Sequence, residues 1–211
     1  MDNLIYILFV SVFIPILLMT CLIEEKARQP MIFVLIGIFT SVFAAEVNGL
    51  MCSFLPLTTY EITVIVTPMT EEILKALPIF VFATVLSAKK EELFTAAMAV
   101  GIGFAVLENA YYLLNDASFN MIDAIIRAFG AGLMHGMCTL LVGVGISFVK
   151  KKRKIFVTGT FALLSTAIIY HGIYNMLVQS DFRAIGFLLP ISTYIPFVLW
   201  RLKKKNQTKS K

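Results

Sequence analysis

The sequence has few charged residues and no stretch with the composition of a soluble domain. Of its 211 residues 15% are charged and 59% are hydrophobic, and the mean hydropathy is +0.87. This composition excludes a soluble globular protein and indicates a membrane protein. The net charge of +5 does not indicate a nucleic-acid partner, because the basic residues lie in clusters between apolar segments.

Cysteine pairs, internal repeats and low-complexity linkers are also missing. The three cysteines, Cys21, Cys52 and Cys138, are odd in number and never spaced as CxxC, so neither a disulfide framework nor a zinc knuckle is indicated. The first apolar run has no basic residue before Leu4 and no Ala-x-Ala cleavage signal after it. It is therefore interpreted as a transmembrane helix and not as a signal peptide.

Long apolar segments account for most of the chain, and each is near the ~20 residues that span a bilayer. The sequence predicts an all-α, polytopic membrane bundle of about seven helices in residues 1–202, followed by a basic tail, 203–211. The tail is expected to be disordered and able to contact anionic lipid. Overlong segments, the third and fifth, are expected to tilt or kink. The predicted spans are Asn3–Ile23, Met31–Leu50, Tyr60–Ala88, Leu93–Leu114, Ile122–Val149, Ile155–Val178 and Phe182–Trp200.

Lysine and arginine are unevenly distributed between the two sets of connections. They follow the first, third, fifth and seventh spans, most densely at Lys150–Lys154, whereas Cys52–Tyr60 and Asn115–Met121 contain none. The positive-inside rule then predicts an outside N-terminus and a cytoplasmic C-terminus.

The third span carries three ionisable residues, Glu71, Glu72 and Lys75, between Pro68 and Pro78. Each costs ~2.5–3.5 kcal/mol near the bilayer centre, so a functional reason is the default expectation. On a helix Glu71 and Lys75 are spaced i,i+4 and are predicted to pair, which turns Glu72 toward another partner. The plainer alternative is a structural salt bridge inside the bundle.

Other spans carry further polar residues on single helix faces. Phe104 and Glu108 share a face of the fourth span, and His171 and Asn175 share one in the sixth. His135 lies in the fifth span, where Gly132 and Gly136 form a GxxxG spacing that allows close helix packing. Counting ~1.5 Å per residue from the outer span ends, we expect Glu72, Glu108, His135 and His171 to meet in the outer half of the membrane.

Four motifs, in this order and on separate spans, resemble those of the PrsW intramembrane protease family. The same motifs more distantly resemble those of the wider superfamily of CAAX-processing and bacteriocin-immunity-type membrane proteases. The motifs are Glu71-Glu72-x-x-Lys75, Phe104-x-x-x-Glu108-Asn109, Arg127 followed by His135, and His171-Gly-x-Tyr-Asn175, where Asn175 replaces the family's aspartate. The resemblance implies an intramembrane endopeptidase of the bacterial cytoplasmic membrane. Its substrates are expected to be single-span proteins such as anti-sigma factors, cut on or near the outer side.

Peptide hydrolysis needs an activated water, a polarised carbonyl and a proton for the leaving amine. We assign Glu72 as the general base, although chemistry alone leaves the choice between Glu71 and Glu72 open. His135 is expected to bind the water or relay its proton, and His171 with Asn175 to stabilise the oxyanion. Glu108 is expected to face the same cavity. Lys75, Phe104, Asn109 and Arg127 are assigned supporting roles.

Three alternatives use the same residues. A zinc site formed by Glu72, Glu108, His135 and His171 is possible, but no HExxH spacing occurs and Lys75 opposes a cation, so no cofactor is favoured. A proton-coupled transporter also contains buried Glu and His, yet no repeated half is visible. The third alternative is a non-catalytic membrane scaffold with a structural polar network.

Overall fold

Helices make up all the regular structure in the described part of the chain. The computed structural model describes residues 4–86, 89–115, 121–149 and 153–209. The elements are α1 (Leu4–Leu22), α2 (Glu25–Phe54), α3 (Thr59–Glu61), a π-helical turn (Ile62–Val66), α4 (Thr67–Thr84), α5 (Lys90–Asn115), α6 (Met121–Ile146), α7 (Arg153–Val178) and α8 (Arg183–Lys209). The predicted all-α fold is confirmed.

Five of these helices are long and apolar enough to cross a membrane. They are α1, α2, α5, Ala124–Ile146 of α6 and Phe156–Val178 of α7. Large apolar side chains such as Leu22, Phe39 and Ile65 are exposed on the outside of the bundle, as expected for a surface that faces lipid. The chain is therefore a multi-pass membrane protein.

The other two predicted spans stay predictions. One is the segment from α3 to α4, which carries Glu71, Glu72 and Lys75 within a short helix. The other is α8, which continues to Lys209 and so is helical through most of the segment assigned to a disordered tail. Consecutive lysines are good helix formers and extend α8 without a break. The orientation of the termini also stays a prediction, and residues 116–120 and 150–152, which bear on it, lie outside the described ranges.

Helix α5 is the centre of the bundle and packs closely against α2 on one side and α6 on the other. The α2–α5 contact depends on two glycines. A Cβ on Gly37 would lie 2.1 Å from the carbonyl oxygen of Val100, and one on Gly103 would lie 2.2 Å from that of Val34. The backbones are thus in direct contact, which fixes how α5 is rotated about its axis and which of its residues face the interior.

The predicted third span is broken where the chain enters the bundle. A capping box between Thr58 and Glu61 begins α3, with Glu61 Oε2 accepting from the Thr58 N–H at 2.8 Å. The π-helical turn follows, in which the N–H of Thr67 bonds to the carbonyl of Ile62. Pro68 then opens α4 at a position where its missing N–H is tolerated. The overlong third span, expected to tilt or kink, thus contains a π-helical turn directly before Pro68.

Of the two glycines in the GxxxG spacing, Gly136 lies at a close helix contact and Gly132 does not, because a Cβ on Gly101 of α5 would lie 2.8 Å from the Cα of Gly136. A Cβ on Gly132 would meet nothing within 4 Å among the described residues, and one on Gly136 would make an ordinary 3.5 Å contact with Ile102. A GxxxG pattern shows only that two small residues share a face. The close approach of α5 to α6 is made by Gly101, which faces the backbone of His135 and Gly136.

Gly37→Ala should destabilise the protein, whereas Gly132→Ala should not. A methyl group at position 37 would overlap a backbone carbonyl that cannot move without separating α2 from α5. Overpacking of this kind costs about 1–3 kcal/mol. The matched change at Gly132 meets open space and should be neutral or slightly stabilising, since alanine favours helix by up to about 1 kcal/mol. Thermal unfolding in detergent compares the two, and equal unfolding midpoints would contradict the close α2–α5 contact.

Candidate active site

Side chains from four helices meet in the interior next to the broken third span. All of the following are buried except Glu108, whose side chain is 17% exposed. Helix α4 contributes Glu71, Glu72 and Lys75, α5 contributes Phe104 and Glu108, α6 contributes His135, and α7 contributes His171. The expected meeting of Glu72, Glu108, His135 and His171 is thus found in the structure.

Lys75 lies at the centre of this group. Its Nζ donates to Glu72 Oε1 at 2.6 Å and lies 2.8 Å from His135 Nδ1. It also lies 4.5 Å from the centre of the Phe104 ring, a cation–π contact that explains the aromatic residue on α5. The predicted pair of Glu71 with Lys75 is wrong. The i,i+3 partner Glu72 takes the lysine because both face His135, while Glu71 points to α2.

The donors and acceptors in this network fix which ring nitrogens carry protons. A lysine ammonium can only donate, so Nδ1 of His135 accepts from Lys75 and Nε2 donates to Glu108 Oε2 at 2.6 Å. Glu72 Oε1, a carboxylate oxygen, accepts from His171 Nδ1 at 2.9 Å. In the neutral form of the His171 ring, Nε2 then carries the lone pair.

Glu71 is held by α2 and presents one free oxygen to His171. Asn48 Nδ2 donates to Glu71 Oε1 at 3.4 Å, and the Thr70 hydroxyl donates to Asn48 Oδ1, which fixes the orientation of the amide. Glu71 Oε2 lies 3.9 Å from His171 Nε2. Both atoms are buried, and neither has a hydrogen-bond partner among the described residues. A pair of vacant buried acceptors requires a donor or a cation between them.

Glu108 joins the buried network to the surface. Its Oε2 accepts from His135, and its Oε1 lies 3.8 Å from a guanidinium nitrogen of Arg127. That guanidinium stacks on Tyr112 at 4.2 Å, and the Asn109 amide donates to the Arg127 carbonyl at 3.2 Å. Arg127 therefore lies beside Glu108, and Asn109 contacts the Arg127 backbone, while the supporting roles assigned to both residues stay predictions.

Asn175 contacts the π-helical turn. In a π-helical turn the Thr63 carbonyl points to the nitrogen five residues on, which belongs to Pro68 and has no hydrogen. Asn175 Nδ2 donates to this carbonyl at 3.0 Å. Gly172 permits the approach, since a Cβ there would lie 2.7 Å from the carbonyl oxygen of Val64. The amide predicted to stabilise an oxyanion thus docks α7 against the broken span.

Asn175→Ala should therefore lower stability as well as turnover. It leaves a carbonyl without its donor, which typically costs about 1–3 kcal/mol. Gln179→Ala is the matched control, because this exposed amide donates to the Asn175 carbonyl without contacting the π-helical turn. The measurement is thermal unfolding in detergent alongside kcat. A fall in kcat with an unchanged unfolding midpoint would instead support the oxyanion role.

Two cavities reach the site. The first, about 380 Å³, extends from buried Glu71 past Glu108 to exposed residues including Cys52. The second, about 440 Å³, is lined by Glu108, Arg127 and Asn175. Thr59, Thr63, Glu108 and Tyr112 line both cavities. Water and an extended peptide segment therefore have room beside the buried carboxylates.

A metal site here would keep His135 and His171 of the predicted set and use Glu71 in place of Glu72 and Glu108. His135 would have to release Lys75 or Glu108 to coordinate the ion. One ligand atom from each of Glu71, His135 and His171 lies within 4.8 Å of the others. Two imidazoles and a carboxylate are a common catalytic zinc set, and the vacancy at Glu71 and His171 is consistent with it. Glu72 instead binds Nδ1 of His171, as carboxylates do behind a metal-ligating histidine. Lys75 is directed at Glu72 and His135, and Glu72 offsets its charge.

A buried Glu/His cluster reached by cavities, inside a bundle of membrane-crossing helices, is typical of membrane-embedded hydrolases and of proton-coupled transporters. The profile described as PrsW family intramembrane metalloprotease matches residues 25–201, and the chain belongs to this family. Membership supports intramembrane proteolysis of membrane-protein substrates. No curated protein and no solved structure matches the chain.

Two residues of the site, Asn48 and Thr70, were missed by sequence reasoning. Asn48 lies in the apolar second span, where an amide is unusual and indicates a polar contact. Thr70 precedes Glu71 in the chain and resembles any helix-surface threonine. Asn48 donates to Glu71 and Thr70 donates to Asn48, and this chain of hydrogen bonds distinguishes them from structural polar residues.

Proposed function

We propose that the protein is an intramembrane endopeptidase in which Glu71 and His171 bind and activate the attacking water. One observation carries the assignment of these two residues: Glu71 Oε2 and His171 Nε2 are buried, vacant and 3.9 Å apart. A water between them would donate one hydrogen bond to each acceptor. Glu72, the base assigned from the sequence, also has a buried oxygen without a described partner, Oε2, but its Oε1 already accepts from Lys75 and His171. Glu71 is therefore the better candidate for the general base.

Residues of the site can also transfer the proton, stabilise the oxyanion and orient His171. Glu71 takes a proton from water as its oxygen attacks the peptide carbonyl, and returns that proton to the leaving amine. Arg127 and Tyr112 line the cavity beside Glu108 and are the donors available to the developing oxyanion. Glu72, with Lys75, holds His171 in the tautomer whose Nε2 is an acceptor.

A second version of the mechanism uses zinc held by Glu71, His135 and His171. The donor set and the family description support it. When bound, the metal supplies a Lewis acid at the reacting carbonyl. The roles of Glu72 and Lys75 in orienting His171 are the same in both versions.

The proposed substrate is a single-span protein of the bacterial cytoplasmic membrane, such as an anti-sigma factor, cut near the outer face. The resemblance of the four motifs supports the substrate class, and the distribution of lysine and arginine supports the sidedness. Family membership supports a protease over a transporter or a non-catalytic scaffold.

The test is cleavage of single-span peptides by purified protein, with and without a strong chelator, followed by zinc re-addition. Glu91→Gln is a matched control, since Glu91 is exposed and far from the site in the chain. We expect wild type and Glu91→Gln to cleave equally. Loss of cleavage on chelation and its return with zinc would establish the zinc version, and no effect of chelation would establish the water version. No cleavage under any condition would refute the protease assignment.

A further inference from the structure

Helix α1 forms part of the first cavity although it lies outside the family match. The match begins at residue 25, whereas α1 ends at Leu22. Ile5 lines the cavity, and the Tyr6 hydroxyl donates to the carboxylate of Glu46, which also lines it. One wall of this cavity is therefore built from a helix that the family pattern does not specify.

Every charged residue that lines this cavity, among those described, is a glutamate. The three are Glu46, Glu71 and Glu108. Glu108 has His135 and Arg127 beside it, but the contact that holds Glu46 comes from a neutral hydroxyl. Glu71 is 4% exposed and its Oε2 has no partner among the described residues. Glu108 is thus compensated by cationic and imidazole neighbours, whereas Glu46 is held by a hydroxyl, so a cation that enters the cavity would meet the carboxylate of Glu46.

We propose that this cavity binds a lysine or arginine side chain of the substrate close to the cleaved bond. Glu46 is the specificity-determining residue, and Tyr6 holds its carboxylate toward the cavity. The inference rests on the proposed function, because it identifies the substrate feature that the protease selects.

A lysine or arginine close to the cleaved bond would distinguish substrates from other single-span proteins. Membrane proteins concentrate lysine and arginine on the cytoplasmic side of their spans. A basic residue in the outer half of a span is therefore rare, and a cavity lined by carboxylates compensates a charge that lipid would exclude. Most single-span proteins would lack the feature and escape cleavage.

The experiment measures peptide binding separately from cleavage, using the full chain in detergent. Fluorescent single-span peptides carry lysine, leucine or glutamate at one position, which is moved residue by residue through the outer half of the span. For at least one placement of the substituted residue, the lysine peptide should bind ~10-fold or more tightly than the leucine peptide. This difference is the effect of one charge-assisted hydrogen bond. Glu46→Gln should remove this preference and Glu46→Lys should favour glutamate. Tyr6→Phe should weaken the preference, and Glu91→Gln should preserve it.

The outcomes separate this inference from the protease assignment. Equal binding of the three peptides at every placement of the substituted residue, or a preference that survives Glu46→Gln, overturns the inference. Cleavage without charge preference also overturns it and leaves the protease intact. Preferential binding of lysine that Glu46→Gln removes supports the cavity assignment even if no peptide is cleaved, in which case the protease assignment fails.

Discussion

Glu71→Gln should reduce turnover by about 10²–10⁴-fold, the range for loss of a general base, without lowering stability. The amide keeps the shape of the side chain and can still accept from Asn48. Its N–H would lie where Oε2 now faces His171 Nε2, and would give that vacant nitrogen a donor. A buried oxygen without a described partner is replaced by a neutral hydrogen bond, so stability should be unchanged or higher.

Glu72→Gln provides the comparison that identifies the base. It also removes a carboxylate, but this one accepts from Lys75 and His171. We expect it to lower both the thermal unfolding midpoint and turnover, because the Lys75 ammonium loses its ion-pair partner. The measurement is kcat together with unfolding in detergent for both variants. If Glu71→Gln retained wild-type kcat while Glu72→Gln lost activity at full stability, the roles of the two glutamates would be reversed.

The helical architecture and the ionisable residues of the site could be predicted because each depends on a local pattern. Apolar length identifies membrane helices, and ionisable residues inside them are rare enough to stand out. Glu72, Glu108, His135 and His171 are therefore found together in the structure, as predicted.

Contacts between helices could not be predicted, because they depend on how each helix is rotated. Glu71 and Glu72 are ~100° apart, and either can reach a lysine three or four residues on. The choice of Glu72 is made by His135 on α6 and by Asn48 on α2, which bind the lysine and Glu71. Likewise Asn175 has the spacing of a catalytic donor, but Pro68 leaves a carbonyl beside it that needs its amide.

Lys75→Met should have the largest effect on stability of any single change at this site. Methionine nearly matches the lysine stem in length, so packing against Phe104 is kept while the ammonium is lost. Glu72, which is fully buried, then has no cation, and His135 Nδ1 loses its donor. Removing one partner of a buried ion pair costs about 3–5 kcal/mol. We expect little folded protein and a much lower unfolding midpoint in what remains.

A double variant tests whether this loss comes from the stranded carboxylate. Lys75→Met combined with Glu72→Gln removes both charges, and such replacements are often close to neutral. The double variant should recover more than half of the stability that Lys75→Met loses, although it should stay inactive because His171 is no longer held by a carboxylate. Unfolding of the wild type, both single variants and the double variant gives the coupling energy of the pair. Strictly additive losses would mean that Lys75 stabilises the bundle through Phe104 and His135, and that the ion pair with Glu72 contributes nothing.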